Sequence, residues 1–211
     1  MHAPAHFRID DQSELAAFIE ARHFATLVVG GPNGPQAAHI PMILNRDDAG
    51  RAVSLEGHVG KSNPVAAIAA SSARALAIFR GPDAYVTPSL YLSKREHGRV
   101  VPTWNYIAVE VAGEVQAFND ADALRRQVGR ITDMMESPAA APWAVSDAPA
   151  DYIAKMINGI TGLRLTIESI EGSAKLSQNR PEGDRAAVIN GFAHSPDPAA
   201  QLLAQEMSRK A

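Results

Sequence analysis

Apolar runs alternate with clusters of turn-forming residues through the first 60 positions of the chain. Apolar residues between positions 15 and 22 recur at helical spacing behind capping residues. Residues 25–29, 37–44 and 52–58 then form β-prone runs, and the segments between them are dense in glycine, proline, asparagine and aspartate. Because strands joined by short turns usually pair with each other, this pattern predicts one helix followed by a three-stranded meander.

The same pattern predicts further elements along the rest of the chain. Strands are predicted at 75–79, 84–87, 104–118 and 163–170, and helices from Asn63-Pro64, from Asn119-Asp120, across 152–160 and within 191–211. Gly113 interrupts the longest strand and predicts a bulge or bend there. About six or seven mostly antiparallel strands in meander order, with peripheral helices outside, indicate an α+β fold built on a small closed β-barrel.

Composition narrows the class of protein. The chain has 211 residues, no cysteine and a formal net charge of −3. Its length suits one large domain, or one core with a helical appendage. Without cysteine there are no disulfides or thiolate metal sites, which fits a cytoplasmic protein, and residues 1–10 lack the pattern of a secretory signal. No window approaches the roughly 18 apolar residues of a membrane span, and the acidic balance predicts no broad basic face for duplex DNA.

A polar segment at 58–64 joins a predicted strand to a predicted helix. Lys61 contributes a positive charge, Ser62 a hydroxyl group, and Asn63-Pro64 the start of the helix. A helix N-terminus with such side chains favours a phosphate monoester as ligand. The segment equally fits a helix cap beside a solvated lysine. It is not a nucleotide-binding P-loop, because Leu55 stands where that motif requires glycine.

Two further polar segments lie at the ends of predicted strands. Thr103, Trp104 and Asn105 offer a hydroxyl, an aromatic face and an amide, a combination that favours a wall for a planar heterocycle. The alternative is a core tryptophan whose indole N–H binds a carbonyl group. Residues 175–179 follow the last predicted strand and, taken alone, are more typical of a polar turn.

Other motifs argue against several functions. The sequence has one basic cluster of note, which consists of Lys94, Arg95, His97 and Arg99. Four such residues in an acidic chain are weak support for local contact with nucleic acid. The seven histidines lack metal-ligand spacing, and no G-x-S-x-G elbow accompanies the serines. We therefore predict neither a metal site nor serine hydrolase chemistry.

In this order and at these separations, the three polar segments resemble the PaiB-like family, described as FMN-binding negative transcriptional regulators with an FMN-binding split-barrel fold. The residues that carry the resemblance are 1–7, 38–41, 58–64, 85–91, 101–106 and 175–179. It extends from the start to about residue 190. We therefore expect a split-barrel domain over 1–190 and a tail over 191–211.

The resemblance implies a homodimer with FMN between the protomers. By this analogy Lys61 and Ser62 hold the phosphate. The residues expected beside the flavin ring are His39, Ile40, Gly57 and His58, and those expected to approach from the other subunit are Thr103, Trp104, Asn105, Lys175, Ser177 and Gln178. The resemblance assigns no catalytic residue.

Three functions remain open at this point. The resemblance implies a repressor-like factor in a bacterial cytoplasm, although no helix-turn-helix signature is evident and an indirect route to regulation is at least as plausible. The barrel is also similar to pyridoxamine-phosphate oxidases and flavin reductases, which implies as the alternative a flavin-dependent oxidoreductase using a nicotinamide donor. A barrel without cofactor that only binds a partner ranks last.

Overall fold

Eight β-strands and seven α-helices are formed by residues 1–209, the part of the chain that the computed structural model describes. The strands are β1 Arg8–Ile9, β2 Phe24–Gly31, β3 Gly34–Pro41, β4 Ile43–Arg46, β5 Ala52–Gly60, β6 Ala73–Val86, β7 Thr103–Phe118 and β8 Ile160–Lys175. The helices are α1 Gln12–Arg22, α2 Pro64–Ala69, α3 Ser93–His97, α4 Ala121–Glu136, α5 Ala150–Asn158, α6 Glu182–Ala193 and α7 Pro198–Arg209. Within the described residues, no helix is long and apolar enough to cross a membrane.

The chain divides into two compact units that share their longest strands. Among the described residues, unit one contains 1–15, 80–109 and 171–209, and unit two contains 16–79 and 110–170. β6, β7 and β8 each contribute to both units.

The strands form one sheet in the order β3-β2-β6-β7-β8-β5-β4, and β1 pairs with β8. β3 and β4 lie at opposite ends of this order, yet Met42 alone separates them in the chain. The sheet of unit two must therefore curl until its edges meet, which makes it a barrel split between β3 and β4. The split-barrel prediction is confirmed, with eight strands instead of six or seven because β1 is too short to show periodicity.

Alternate side chains of the unit two strands fill the barrel. Leu27 in β2, Val111 in β7 and Leu165 in β8 are fully buried, as expected when successive residues of a strand face opposite sides. On β5 the alternation places Leu55 inside and His58 on the outer side, where it contacts α4. The outer face of β5 is therefore where polar side chains gather.

Two strand predictions need correction. Residues 37–44 form two strands, because the chain leaves β3 and enters β4 around Met42. Residues 75–79 and 84–87 belong to one strand, β6. β7 runs through Gly113, and a Cβ atom there would lie 1.9 Å from the carbonyl oxygen of Thr166. The close approach of β8, which leaves no room for a side chain, explains this glycine.

In unit one, α6 and α7 pack against each other at the end of the chain. α7 confirms the predicted terminal helix and buries Leu203 and Met207. α6 was not predicted, and it crosses position 190. The boundary between a domain at 1–190 and a tail at 191–211 stays a prediction.

Asp184 of α6 anchors the start of α3. Its two carboxylate oxygens accept hydrogen bonds from the backbone N–H of Ser93 at 2.9 Å and from the Ser93 hydroxyl at 2.6 Å. Burial opposes ionisation of this carboxyl group. The Ser93 hydrogen bonds, aided by the Leu92 N–H and the charge of Arg180, outweigh burial and hold the pKa of Asp184 below its ordinary value.

Candidate functional site

The turn between β5 and α2 is built by short backbone contacts. The Asn63 N–H donates to the Gly60 carbonyl at 2.9 Å, and the Asn63 side chain accepts from the Val65 N–H at 2.9 Å. Pro64 takes the first helical position, where its missing N–H costs nothing. The predicted cap is confirmed, and it fixes the backbone on both sides of residues 61 and 62.

Lys61 and Ser62 project from this turn. The Lys61 N–H donates to the Gly159 carbonyl at 3.0 Å, so its backbone is also held. Both side chains are exposed, and neither has a side-chain hydrogen bond or ion pair among residues 1–209. A Cβ atom on Gly60 would meet no atom within 4 Å, so the space beside the turn is open. A free ammonium and a free hydroxyl group in open space suit a phosphate.

His39, Ile40 and Gly57 lie where β3 and β5 come close. The Nδ1 atom of His39 is 3.0 Å from the Thr26 hydroxyl, and Ile40 is buried. A Cβ atom on Gly57 would lie 2.7 Å from the Pro41 carbonyl oxygen and 3.2 Å from the Cδ1 atom of Ile40. Gly57 is therefore needed for packing, whether or not a ligand lies beside it.

His58 is fixed by a side chain that the sequence did not single out. Its Nδ1 atom lies 2.8 Å from the Oε1 atom of Gln127 in α4. Gln127 falls on the apolar stripe of α4 between Leu124 and Ile131 and is buried with them. A polar residue at helical spacing with apolar ones was the signal available in the sequence.

In unit one, Thr103 and Lys175 contact each other across neighbouring strands. The Lys175 ammonium group donates to the Thr103 hydroxyl at 2.6 Å and lies 5.9 Å from the centre of the Phe7 ring. This cation–π contact and hydrogen bond hold the lysine near the start of β7.

Trp104 presents an aromatic face to solvent. It is 53% exposed and packs edge-on against Tyr85, with ring centroids 5.9 Å apart. Trp104 also lines an open cavity of about 330 Å³ with Arg80, Asp83 and Tyr106. The exposed indole excludes the alternative of a core tryptophan.

Asn105 and Ser177 turn inward instead. Asn105 has no exposed surface, and its amide nitrogen donates to the Ser177 hydroxyl at 3.0 Å and to the sulfur of Met207 at 3.6 Å. Ser177 has a positive φ of 62°. The Gln178 amide folds back onto its own turn, accepting from the Leu176 N–H at 2.7 Å. In this structure these three side chains organise the end of β8.

The proposed contacts thus divide between the two units. Unit two brings together the set expected around the phosphate and ring, which comprises His39, Ile40, Gly57, His58, Lys61 and Ser62. Unit one contains the set expected from the other subunit, which comprises Thr103, Trp104, Asn105, Lys175, Ser177 and Gln178. Residues 1–209 contain no group of three or more histidine, aspartate or glutamate side chains placed to hold a metal ion.

Comparison with known proteins identifies a matching family and several relatives. A family model described as "Putative FMN-binding domain" matches residues 1–169. The protease synthase and sporulation protein PAI 2 of Bacillus subtilis is 29% identical over 210 residues, covering 100% of this chain and 98% of that protein. An uncharacterized protein of Aspergillus fumigatus is 35% identical over 209 residues, covering 79% of this chain and 80% of that protein.

Among solved structures, the flavocytochrome Anf3 from Azotobacter vinelandii has a TM-score of 0.59 at 12% identity, covering 88% of this chain and 78% of that one. This likeness supports the fold. The fungal relative shows that similar proteins are not confined to bacteria. The family match spans most of the chain and identifies the cofactor class as a flavin. The chain belongs to the PaiB-like family of FMN-binding split-barrel proteins.

Proposed function

We propose that this protein binds FMN and that Lys61 and Ser62 hold its phosphate group. The observation that carries the proposal is the turn at 60–63, where a free ammonium and a free hydroxyl group project from a fixed backbone. A phosphate monoester matches such a donor set, because charge-assisted hydrogen bonds to its oxygens are stronger than neutral ones. Family membership independently supplies the flavin.

The residues that would lie beside the ring are His39, Ile40, Gly57 and His58. Each histidine has one ring nitrogen engaged, by Thr26 and Gln127 respectively, which fixes the imidazole plane. Neither Nε2 atom has a hydrogen-bond partner among the described residues, so each imidazole keeps one nitrogen for a ligand.

A second copy of the chain would complete the site. We infer a homodimer in which Thr103, Trp104 and Lys175 of one protomer approach the flavin held by the other. The exposed face of Trp104 supports this arrangement, since an indole of this kind suits stacking on a heterocycle. Asn105 and Ser177 would contribute from the interior by fixing the strand ends that carry these side chains.

The biological role that we propose is negative regulation of transcription by an indirect route, in a cytoplasmic setting. The proposal follows the resemblance to the PaiB-like family, and a full-length relative carries the name protease synthase and sporulation protein PAI 2. The net charge of −3 argues against unaided DNA binding. Gel-shift titrations with promoter and random DNA across a salt series test this, and a sequence preference that persists at moderate salt would establish direct binding instead.

A second candidate is a flavin-dependent oxidoreductase with a nicotinamide donor. The open cavity beside Trp104 favours it, because it offers a planar co-substrate an aromatic surface. A bound flavin would supply the hydride and electron chemistry. Anaerobic mixing of flavin-loaded protein with NADH or NADPH tests this candidate, and a flavin spectrum that stays unbleached with both donors argues against it.

The first experiment is an absorbance spectrum of purified protein before and after incubation with FMN and desalting. We expect about one flavin per protomer, identified as FMN after release. Folded protein that retains no flavin would contradict the proposed function.

A further inference from the structure

We propose that unit two carries a second binding site, a cleft that takes a small oxyanion such as a phosphate or a carboxylate. The cleft lies between α4 and the outer face of β5 and β8, with a volume of about 200 Å³. The residues that line it include Glu56, Phe118, Arg126, Gln127, Arg130 and Arg164. This proposal does not depend on the assignment of FMN to Lys61.

The first argument is charge. Three arginines and one glutamate line the cleft, so it carries two positive charges in excess within a chain whose net charge is −3. Arg126 and Arg130 are one helical turn apart on α4, a spacing at which like charges repel and destabilise a helix. A bound anion would remove that repulsion.

The second argument is preorganisation of two of the guanidinium groups. The Nε and Nη2 atoms of Arg164 both lie 2.7 Å from Oε1 of Glu56, whose side chain is 9% exposed. Arg130 lies 3.6 Å from the other Glu56 oxygen and donates to the Asn45 side chain at 2.8 Å. Glu56 therefore holds both guanidinium groups in place, and each arginine keeps further N–H donors that Glu56 does not occupy.

The third argument concerns groups that the fold leaves unsatisfied. Gln127 is 1% exposed and lines the cleft, yet its Nε2 atom has no hydrogen-bond partner among the described residues. An unpaired buried donor destabilises the folded protein. Arg126 is exposed and has no side-chain partner within residues 1–209. An oxyanion in the cleft would supply acceptors for Arg126, whose guanidinium group is exposed.

Size limits the ligand. Phe118 covers Gly162 on one side, where a Cβ atom would lie 2.2 Å from the ring, and Arg164 lies 5.7 Å from the ring centre. The volume of about 200 Å³ is below the range of about 300–1,000 Å³ typical of pockets for larger organic ligands. The cleft therefore fits inorganic phosphate or a short carboxylate.

Isothermal titration calorimetry on the full-length protein tests the proposal, with sodium phosphate and citrate as separate probes at constant ionic strength. We expect at least one probe to bind, and Arg126→Gln to weaken it by about tenfold, the loss of one charged hydrogen bond. Arg126 is exposed and has no side-chain hydrogen bond or ion pair within residues 1–209, so we expect this variant to keep the fold. Arg126→Lys should retain part of the affinity because it retains the charge.

Arg125→Gln is the matched control, since Arg125 is a neighbouring exposed arginine of α4 that does not line the cleft. Its affinity should equal that of the wild type. Equal losses in both variants, or no binding of either probe, would overturn the proposal. Retention of FMN is measured in parallel. Loss of FMN binding in Arg126→Gln would make the cleft part of the flavin site and would also overturn the proposal of a second site. If neither the wild type nor any variant binds FMN, the proposed function fails, while the phosphate and citrate titrations still decide whether the cleft binds an oxyanion.

Discussion

Lys61 carries a full positive charge on a turn whose backbone is held on both sides. We expect Lys61→Ala to weaken FMN binding by about tenfold or more, because it removes a charged hydrogen-bond donor to the phosphate. Riboflavin has the same ring without the phosphate, so its affinity should change little. Fluorescence titration of both flavins measures the difference.

The control for this variant is Lys155→Ala, which removes an exposed lysine of unit two from α5. It should leave both affinities unchanged. An equal loss of FMN and riboflavin in Lys61→Ala would contradict the phosphate assignment, because it would show that the ring contacts had been disturbed.

Asp184 makes the stability of unit one depend on pH. Its pKa is lower in the folded protein than in the unfolded chain, so its contribution is complete above the unfolded pKa and is lost as pH falls through the folded value. We expect Asp184→Ala to lower the free energy of unfolding by about 1–3 kcal/mol near neutral pH, because Ser93 loses two hydrogen bonds. Urea denaturation from about pH 8 down to pH 4 and below measures the difference in the free energy of unfolding between wild type and variant. This difference should become smaller only at the acidic end. A difference that does not change with pH would contradict this account.

The sequence could predict which side chains are polar, and not where they point. Lys61 and Asn105 both come from polar segments at strand ends. Lys61 is exposed, whereas Asn105 is buried because Ser177 and Met207, over 70 positions away, surround its amide. Such partners are brought together by tertiary packing, which local sequence patterns do not reveal. The Gln127 contact to His58 was missed for the same reason.

Gly113 and Gly129 show how the same substitution has opposite effects in a strand and in a helix. A Cβ atom at Gly113 would lie 1.9 Å from a backbone oxygen of β8, whereas one at Gly129 in α4 would meet nothing within 4 Å. We expect Gly113→Ala to cost about 3 kcal/mol or more, since neither backbone can move without breaking the sheet. Gly129→Ala should instead stabilise by about 0.5–1 kcal/mol through helix propensity. Thermal and urea unfolding of both variants measure this, and similar values for the two would contradict the close packing of β7 on β8.

Most elements were predictable because their periodicity and caps are local. The failures have physical causes. Gly81-Pro82 is typical of a turn, yet β6 continues through it. β2 pairs with β6 at residues 75–78, so Pro82 lies beyond that pairing, where its missing N–H breaks no hydrogen bond to β2. α6 begins directly after Pro181 with polar residues, and its burial depends on α7.

The arrangement of the whole chain raises the question of which subunit completes each flavin site. The residues proposed for the phosphate and the residues proposed to approach from a partner lie in different units, each of which gathers segments distant in sequence. If each FMN is held by Lys61 of one protomer and covered by Trp104 of the other, then Lys61→Ala and Trp104→Ala should each impair both sites of a homodimer.

A heterodimer of the two variants separates this arrangement from a site built within one protomer. Coexpression with two different affinity tags and sequential purification isolates it. In the shared arrangement one site of the heterodimer has both intact residues and the other has neither, so we expect about one FMN per dimer with near wild-type affinity. If both residues acted on the same flavin from one protomer, every site would carry one defect and no high-affinity FMN would be recovered. Equilibrium titration of the purified heterodimer against both homodimeric variants therefore determines how the two units cooperate.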